Sequence, residues 1–151
     1  MGLDMYLNAR KHIANWDFRP EEQVLNKQVR EVLGLGHLED SDSMVVSITV
    51  GYWRKANAVH KWFVDNCQGG EDDCRHAWVG RDQLKMLLDL CKAAVLSNDA
   101  RALPPTAGFF FGSTEVDEFY WADIEYTIKL LESVLNDEKL KEYDFEYYSS
   151  W

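Results

Sequence analysis

The chain is short of positive charge. Its 151 residues contain 16 Lys and Arg against 26 Asp and Glu, which gives a formal net charge of −10. Binding to a nucleic-acid backbone or to an anionic membrane needs clustered bases, so this balance argues against both partners. The excess acid is concentrated in residues 113–151, which carry eleven acids and three bases. From this concentration of acids we predict that residues 113–151 form a solvated acidic surface, or a docking face for a basic protein.

Cysteine is also scarce. Cys67, Cys74 and Cys91 are an odd number, and no two of them form a Cys-x2-Cys pair. The pattern does not suggest a disulfide framework, and we expect reduced thiols in a cytoplasmic protein. The start of the chain, from Met1 to Leu7, is typical of a strand rather than of a signal peptide. No apolar run approaches the roughly 18 residues of a membrane span, so we expect no membrane association.

Several sequence motifs of catalysis are missing. The chain contains no GxGxxG, GxxxxGK[ST], HExxH or GxSxG pattern. Gly69 and Gly70 are followed directly by three acids, which would repel a phosphate group. We therefore expect no cofactor and no metal, and the sequence assigns no catalytic residue.

The hydrophobic pattern predicts both strands and helices. Apolar residues alternate in three segments that read as strands: Leu3–Leu7, Met44–Val50 and Phe145–Trp151. Shorter strands are predicted at His76–Val79 and Phe109–Phe111. Helices are predicted from Pro20 to the residue before Gly34, from about Arg54 to Cys67, from Gly80 onward, and after a capping box formed by Thr114 and Asp117. Leu25, Val29, Val32 and Leu33 form a stripe along the first of these helices.

This order of elements favours the α+β class. We expect a small mixed β-sheet with about four helices in a single compact domain over residues 1–151. The apolar fraction of 46% is large enough for a core in a chain of this length.

The first candidate site is the junction of the second strand and its helix. If the helix begins at Arg54, then Arg54 and Lys55 occupy its first turn, where the helix dipole disfavours cations. Asn57 and His60 would lie near them, and Trp53 would be placed to stack on a planar ligand. These five residues are the predicted ligand site, with an anionic small molecule as the ligand.

An internal explanation competes with this ligand site. Arg54 and Lys55 would instead pair with acids of the last helix, chiefly Asp117 and Glu118, or Asp123. Trp53 would then belong to the core. The two interpretations do not exclude each other.

Two weaker candidates involve other side chains. The turn from Gly112 to Glu118 offers hydroxyl groups and carboxylates for a metal or a general base, but helix capping explains the same residues. Cys67, Cys74 and His76, with His60, do not have the spacing of a zinc site. A cysteine nucleophile with one of these histidines as its base is possible in principle, and a structural thiol is the simpler explanation.

Several segments together resemble one protein family. They are Met-Gly-Leu-Asp-Met-Tyr-Leu at 1–7, Gly-Tyr-Trp-Arg-Lys-Ala-Asn-Ala at 51–58, His-Lys-Trp-Phe-Val at 60–64, Cys-Gln-Gly-Gly at 67–70, Gly-Phe-Phe-Phe-Gly-Ser-Thr at 108–114, Asp-Glu-Phe-Tyr at 117–120 and Tyr-Tyr-Ser-Ser-Trp at 147–151. The chain is similar over its whole length to a family of small bacteriophage, prophage and bacterial proteins without an established function. The label of phosphoglycerate kinase carried by some members is not supported, because such a kinase needs two domains and a larger sheet. The resemblance implies phage origin and action in the bacterial cytoplasm.

These observations lead to three functional hypotheses. The first is a non-enzymatic accessory binding protein that acts on host defence or regulation through a host protein or an anionic small molecule, and that self-associates into a homo-oligomer. The second is a small enzyme acting on a nucleotide or another phosphorylated compound, with His60 as acid or base and Asp117 or Glu118 beside it. The third is a protein-interaction module that uses the acidic helix and exposed aromatic side chains.

Overall fold

A computed structural model of the protein describes residues 2–38 and 42–151. Met1, the first residue of the strand-like segment Met1–Leu7, and residues 39–41 lie outside the described part. The elements are β1 (Asp4–Ala14), α1 (Pro20–Val32), β2 (Ser43–Arg54), α2 (Asn57–Cys67), β3 (Ala77–Val79), α3 (Arg81–Ser97), α4 (Glu118–Asn136), a 3-10 turn (Glu138–Leu140) and β4 (Asp144–Ser150).

The four strands form one sheet in the order β2-β1-β4-β3. The sheet is antiparallel, and the pairing of β3 with β4 places Ala77 opposite Tyr147 and Val79 opposite Phe145. The predicted α+β class, with a small sheet and four helices, is confirmed. We expected a mixed sheet, and the observed sheet is antiparallel. The sequence did not show this, because alternation of apolar residues identifies a strand but not its direction.

The chain forms two compact units. Unit 1 comprises Met1–Ala9 and Thr49–Trp151, and unit 2 comprises Arg10–Ile48. The boundaries between them fall within β1 and β2, so the single domain predicted for residues 1–151 stays a prediction. None of the described helices combines the length and the apolar character that a membrane crossing requires.

Unit 1 contains the hydrophobic core. Alternate residues of β1 point into it, and they meet the apolar faces of α2, α3 and α4. Phe63 of α2 stacks on Tyr147 of β4 with ring centroids 4.0 Å apart. The predicted stripes of α3 and α4 supply Leu84, Leu87 and Ile124, all of which are buried.

Unit 2 presents its helix in an unusual way. The side chains that α1 buries are Asn26 and Arg30, which are polar. Asn26 Nδ2 donates a hydrogen bond of 2.9 Å to the carbonyl oxygen of Ile13. Four large apolar side chains at the helix are exposed instead, and we call them the α1 patch: Val24, Leu25, Val32 and Leu33.

Two predicted elements differ from the structure. Residues 109–111 form a turn rather than a strand, because Gly112 has a positive φ of 84° and Phe109 faces solvent. The last strand ends at Ser150, so that Trp151 lies beyond it. The first helix begins at Pro20 as predicted, and Gly34 follows it with a φ of 73°.

Candidate functional site

A cavity of about 520 Å³ lies in unit 1 where the starts of α2 and α4 come together. Its wall is formed by the end of β2, the first turn of α2, two loop segments and the first turns of α4. The lining residues are Arg54, Lys55, Ala56, Asn57, Ala58, Val59, Pro105, Gly112, Ser113, Glu115, Asp117, Phe119, Tyr120, Ala122, Asp123 and Ile124. Three of the predicted ligand residues, together with Asp117, therefore share one pocket.

Arg54 and Lys55 are not on the first turn of a helix, which corrects the prediction. Arg54 is the last residue of β2, and α2 begins only at Asn57. The strand continues because the amide of Lys55 donates a hydrogen bond of 2.8 Å to the carbonyl oxygen of Leu3 in the neighbouring chain segment. Lys55 then turns the chain with a φ of 59°, a left-handed conformation that costs a non-glycine residue about 1–3 kcal/mol.

The internal ion pairs that we considered for these cations are not formed. Among the described residues, neither the Arg54 side chain nor the Lys55 side chain makes an ion pair with Asp117, Glu118 or Asp123. The aliphatic part of Lys55 passes close to Gly112, where an added Cβ would lie 3.3 Å from the lysine Cβ. Both residues line the pocket. The Lys55 Cε and the Arg54 guanidinium lie beside Gly2, where an added Cβ would be 3.3 Å from Cε and 3.8 Å from Nη2.

The start of α2 adds backbone donors to the same wall. The N-cap is Ala56, which has no side chain that could accept a hydrogen bond from the first turn. The amide of Asn57 is taken by the carbonyl oxygen of Lys55 at 2.8 Å. Ala58 and Val59 follow in the first turn, where a helix supplies no backbone acceptor, and both line the pocket. Val59 is fully buried, so of these two residues only Ala58, which is 6% exposed, has surface there. This end of the pocket is suited to an anion.

Asn57 has a structural role rather than the predicted ligand role. Its buried Nδ2 donates to the carbonyl oxygens of Phe111 and Ser113, at 3.0 and 2.9 Å. Its Oδ1 accepts from the amide of Thr106 at 2.9 Å. All of the amide's hydrogen-bonding groups contact the loop on the other side of the pocket, so Asn57 holds that wall in place.

Trp53 is a core residue, in agreement with the competing interpretation. It is buried, and its indole N–H donates a hydrogen bond of 2.9 Å to the hydroxyl of Thr127 in α4. Its ring meets Phe63 edge-on, with the centroids 5.9 Å apart. It does not line the pocket and is not placed to stack on a ligand there.

His60 lies behind the pocket wall and has other partners than those predicted. Its Nδ1 is 2.6 Å from the hydroxyl of Tyr147, and its Nε2 is 2.9 Å from Oδ2 of Asp72. Because a carboxylate only accepts, Nε2 carries the proton and Nδ1 accepts from the phenol. Burial lowers the pKa of His60, although the Asp72 carboxylate acts in the opposite direction. The pairing of His60 with Asp117 or Glu118 as an acid–base couple is wrong.

The Asp72–His60–Tyr147 chain joins three segments of unit 1. Trp151 extends it, since its indole N–H donates to Oδ1 of Asp72 at 3.1 Å. Burial raises the pKa of the Tyr147 hydroxyl well above its ordinary value, so this phenol stays protonated and has no solvent access. Sequence reasoning missed Asp72, although a Gly-Gly turn after α2 followed by an acidic run could have indicated it.

The acidic wall of the pocket comes from α4 and the turn before it. Asp117 is the N-cap, and its Oδ1 accepts from the amides of Phe119 and Tyr120 at 3.0 and 3.1 Å. The predicted capping box is thus replaced by a single capping carboxylate. Glu118 is exposed and does not line the pocket, whereas Asp123 does. Burial raises the pKa of Asp123 to about 6, with a smaller contribution from the charge of Asp117.

The thiols do not form the reactive or metal-binding cluster that we weighed. Burial raises the pKa of Cys67 to about 11, so that it carries no nucleophilic thiolate near neutral pH. His76 stacks on Tyr148, and its Nδ1 lies 3.0 Å from Oε1 of Glu146. Within residues 2–38 and 42–151, no group of His, Cys, Asp or Glu side chains is arranged to hold a metal ion.

Comparisons of the chain with protein-family models, with curated proteins and with solved structures gave no match. The resemblance to the phage and prophage family stays a prediction.

Proposed function

We propose that this is a non-enzymatic binding protein that holds a small anionic molecule in the pocket between α2 and α4. The observation that carries the proposal is the position of Arg54 and Lys55. Both line the pocket, and neither makes an ion pair with a carboxylate among the residues that the structure describes. The uncapped first turn of α2 adds the amide of Ala58 at the same place.

The dimensions of the pocket support a small ligand. Its volume of about 520 Å³ lies within the range of roughly 300–1,000 Å³ that is usual for small-molecule sites. Apolar side chains such as Val59, Phe119 and Ile124 complete the lining. A few polar groups in a mainly apolar wall are the usual way to orient a small molecule.

Binding without catalysis is favoured by the placement of the titratable groups. His60, the side chain best suited to proton transfer near neutral pH, does not line the pocket, and both of its ring nitrogens have partners in the protein. The thiol of Cys67 is also outside the lining. The pocket therefore offers groups that orient a ligand and no histidine or thiol to react with it.

The acidic wall narrows the class of ligand. Glu115, Asp117 and Asp123 line the pocket together with the two cations, and a polyanion would be repelled by them. A ligand with one anionic group for Arg54 and Lys55, and a cationic or hydrogen-bond-donating group for Asp123, would satisfy both kinds of wall. Such a ligand is a small zwitterion, for example a phosphate ester that carries an amine. A donor of this kind would also offset the burial that raises the pKa of Asp123.

The place and role of the protein belong to the same proposal. The resemblance to phage and prophage proteins supports action in the bacterial cytoplasm, where the bound molecule would act on host defence or regulation. This part of the proposal rests on the resemblance and not on the pocket.

Isothermal titration calorimetry with two matched probes tests the proposal. Phosphoethanolamine carries an anion and an amine, whereas ethyl phosphate, which is the same molecule without the amine, carries the anion alone. We expect the protein to bind phosphoethanolamine more tightly, and the double substitution Arg54→Ala, Lys55→Ala to weaken binding by about 10-fold or more, since hydrogen bonds to charged groups contribute about 1.5–3 kcal/mol each.

Lys61→Ala is the matched control. Lys61 is on α2, outside the pocket lining, and its Nζ lies 2.7 Å from Oδ2 of Asp65. It should bind the probes like the wild type. Equal affinity of the wild type and the Arg54, Lys55 double variant would overturn the proposal. Native mass spectrometry of the purified protein would complement the titration, because a co-purified ligand should be lost from the double variant and kept in the control.

A further inference from the structure

Unit 2 buries a cation on the inner face of α1. Arg30 is only 8% exposed, although arginine is almost never buried to this extent without an ionic partner. Among residues 2–38 and 42–151, no carboxylate lies within ion-pair distance of its guanidinium. A buried charge of this kind is costly, because it has left water without gaining a counter-ion. The placement of Arg30 is explained if an anion binds to it.

One hydrogen-bonding edge of this guanidinium has no partner within the described residues. Nη1 of Arg30 donates to the carbonyl oxygen of Leu38. Nε is buried and has no hydrogen-bond partner, and no described residue accepts a hydrogen bond from Nη2. The Nε–H and one N–H of Nη2 point in the same direction and form a fork that matches the two oxygens of a carboxylate. Nη1 therefore anchors the side chain, and the Nε–Nη2 edge is left for an anion.

Arg30 lines a cavity of about 440 Å³ that lies within unit 2. Lys27 lines the same cavity from α1, three residues before Arg30, and among the described residues it makes no ion pair. Residues three apart on a helix are neighbours, so the two positive charges repel each other. An anion bound beside them removes this repulsion and is attracted by both side chains.

One acid in the lining limits the charge of the ligand. Glu31 is exposed and pairs with neither cation, and its charge faces the same cavity. Two positive charges and one negative charge leave a net charge of +1 in the lining. This balance favours a ligand with a single negative charge over a dianion. A carboxylate carries one charge near neutral pH, whereas a phosphate monoester carries close to two.

We propose that unit 2 binds a small monocarboxylic acid in the cavity beside α1, with the carboxylate held by Arg30 and Lys27. The Nε–Nη2 edge of Arg30 donates two parallel hydrogen bonds to the carboxylate, and the ammonium group of Lys27 adds a second positive charge. Because Nε is buried, the guanidinium turns slightly toward the cavity when the ligand enters. Val24, which also lines the cavity, contacts the apolar part of the acid. This site is separate from the pocket between α2 and α4, which belongs to unit 1.

The Nε–H resonance of Arg30 in the ¹⁵N-labelled full chain tests the proposal. A buried Nε–H is shielded from exchange with water, so its signal should be visible, and the variant Arg30→Lys identifies it by its loss. Sodium propionate, titrated to about 50 mM against equal concentrations of sodium chloride, should shift this signal with a dissociation constant in the millimolar range, as is usual for so small a ligand. Arg101→Lys is the control, because Arg101 is exposed and paired with Asp99, and it should bind propionate like the wild type.

Two variants separate the roles of the cations. Lys27→Met changes an exposed position, so the fold should be kept, and it should raise the dissociation constant for propionate about 3-fold or more. Arg30→Lys keeps the charge but lacks the planar fork, and it should weaken binding about 10-fold or more when the backbone amide signals of α1 are followed. Inorganic phosphate, titrated in the same way, should bind the wild type more weakly than propionate does.

Several results would overturn the proposal. The first is a shift of the Arg30 signal that is no larger with propionate than with chloride, and the second is a Lys27→Met variant that binds propionate like the wild type. Tighter binding of phosphate would contradict the assignment to a monocarboxylic acid. Glu39 and Asp40 follow Leu38 in the sequence. A shift of the Arg30 signal in the variant Glu39→Gln, Asp40→Asn without any ligand would show that the chain itself supplies the anion. Failure of the titrations at the pocket in unit 1 would leave this site unaffected, because the two proposals use different residues.

Discussion

The structural role of Asn57 gives a prediction with a magnitude. Its amide makes three hydrogen bonds of 2.9–3.0 Å to the loop that contains Thr106, Phe111 and Ser113. Each such bond contributes a net of about 0.5–1.5 kcal/mol, and buried groups that lose a partner cost more. We expect Asn57→Ala to lower the free energy of unfolding by about 3 kcal/mol. For a chain of this length the melting temperature should fall by about 6–12 °C.

The nearly isosteric change Asn57→Asp separates hydrogen bonding from packing. The carboxylate can still accept from the Thr106 amide, but it faces the carbonyl oxygens of Phe111 and Ser113 without a proton to donate. At pH 7 this variant should be less stable than Asn57→Ala. The folded protein favours the protonated carboxyl, so the folded-state pKa is raised above the unfolded value, and stability should be regained at low pH and lost as the pH rises through that pKa.

Urea unfolding followed by tryptophan fluorescence measures these differences. The comparison is valid if the slope of the free energy against urea stays the same among the variants. Asn136→Ala is the control, because Asn136 is exposed at the end of α4, and its effect should stay within about 0.5 kcal/mol. The reasoning is refuted if Asn57→Ala unfolds within about 1 kcal/mol of the wild type, or if Asn57→Asp matches Asn57→Ala at every pH.

Three further predictions concern α4 and its neighbours. Asp117→Ala removes the N-cap of α4 and should lower the free energy of unfolding by about 0.5–2 kcal/mol in thermal or urea unfolding; an unchanged value would contradict the capping role. Thr127→Val leaves the buried indole N–H of Trp53 without its acceptor and should lower the free energy of unfolding by about 1–3 kcal/mol. In the double variant Thr127→Val, Trp53→Phe, the loss should be smaller than the sum of the two single losses. Asp123→Asn should stabilise the protein at pH 7 more than at pH 4. The folded-state pKa of Asp123 is raised to about 6, so its protonated form stabilises the fold at low pH and this contribution is lost as the pH rises through about 6. A control change at the exposed Asp89 should show a smaller difference between the two pH values, and equal differences would contradict the explanation.

Local signals in the sequence predicted much of the fold. Pro20 at the first position of α1 and Gly34 just after it marked both ends of that helix correctly. Alternating apolar residues located β1, β2 and β4, and helical spacing gave the buried stripes of α3 and α4. These elements follow from short-range preferences and side-chain spacing, which a single sequence displays.

The start of α2 depended on contacts that a local pattern does not contain. β2 continues to Arg54 because the Lys55 amide pairs with Leu3, and two contacts with α4 hold this end of the strand: the indole of Trp53 donates to Thr127, and Gly51 lies where an added Cβ would meet Leu130 at 2.5 Å. Both of these partners in α4 are more than 70 residues away along the chain. The structure places Arg54, Lys55 and Asn57 on the lining of one cavity, for a reason other than the predicted one, and the binding of a ligand there stays a prediction.

The roles of individual site residues were harder to predict than their position. Asn57 and His60 have side chains typical of ligand binding and catalysis, yet both are buried and bonded to the protein. Helical periodicity likewise showed that Leu25 and Val32 share a stripe, but not that this stripe faces outward. Periodicity groups residues on a face, and only the tertiary structure shows what covers that face.

The strand order has a consequence for how the chain folds. β1 and β4 are neighbours in the middle of the sheet, although about 130 residues separate them along the chain. Contacts of such high sequence separation slow folding, because a long loop must close before the pairing can stabilise it. During synthesis β1 is made well before β4, so the edge of β1 that pairs with β4 in the folded protein is at first unpaired. Until β4 has been synthesised, that edge of β1 has no partner strand within the chain and can pair with other chains.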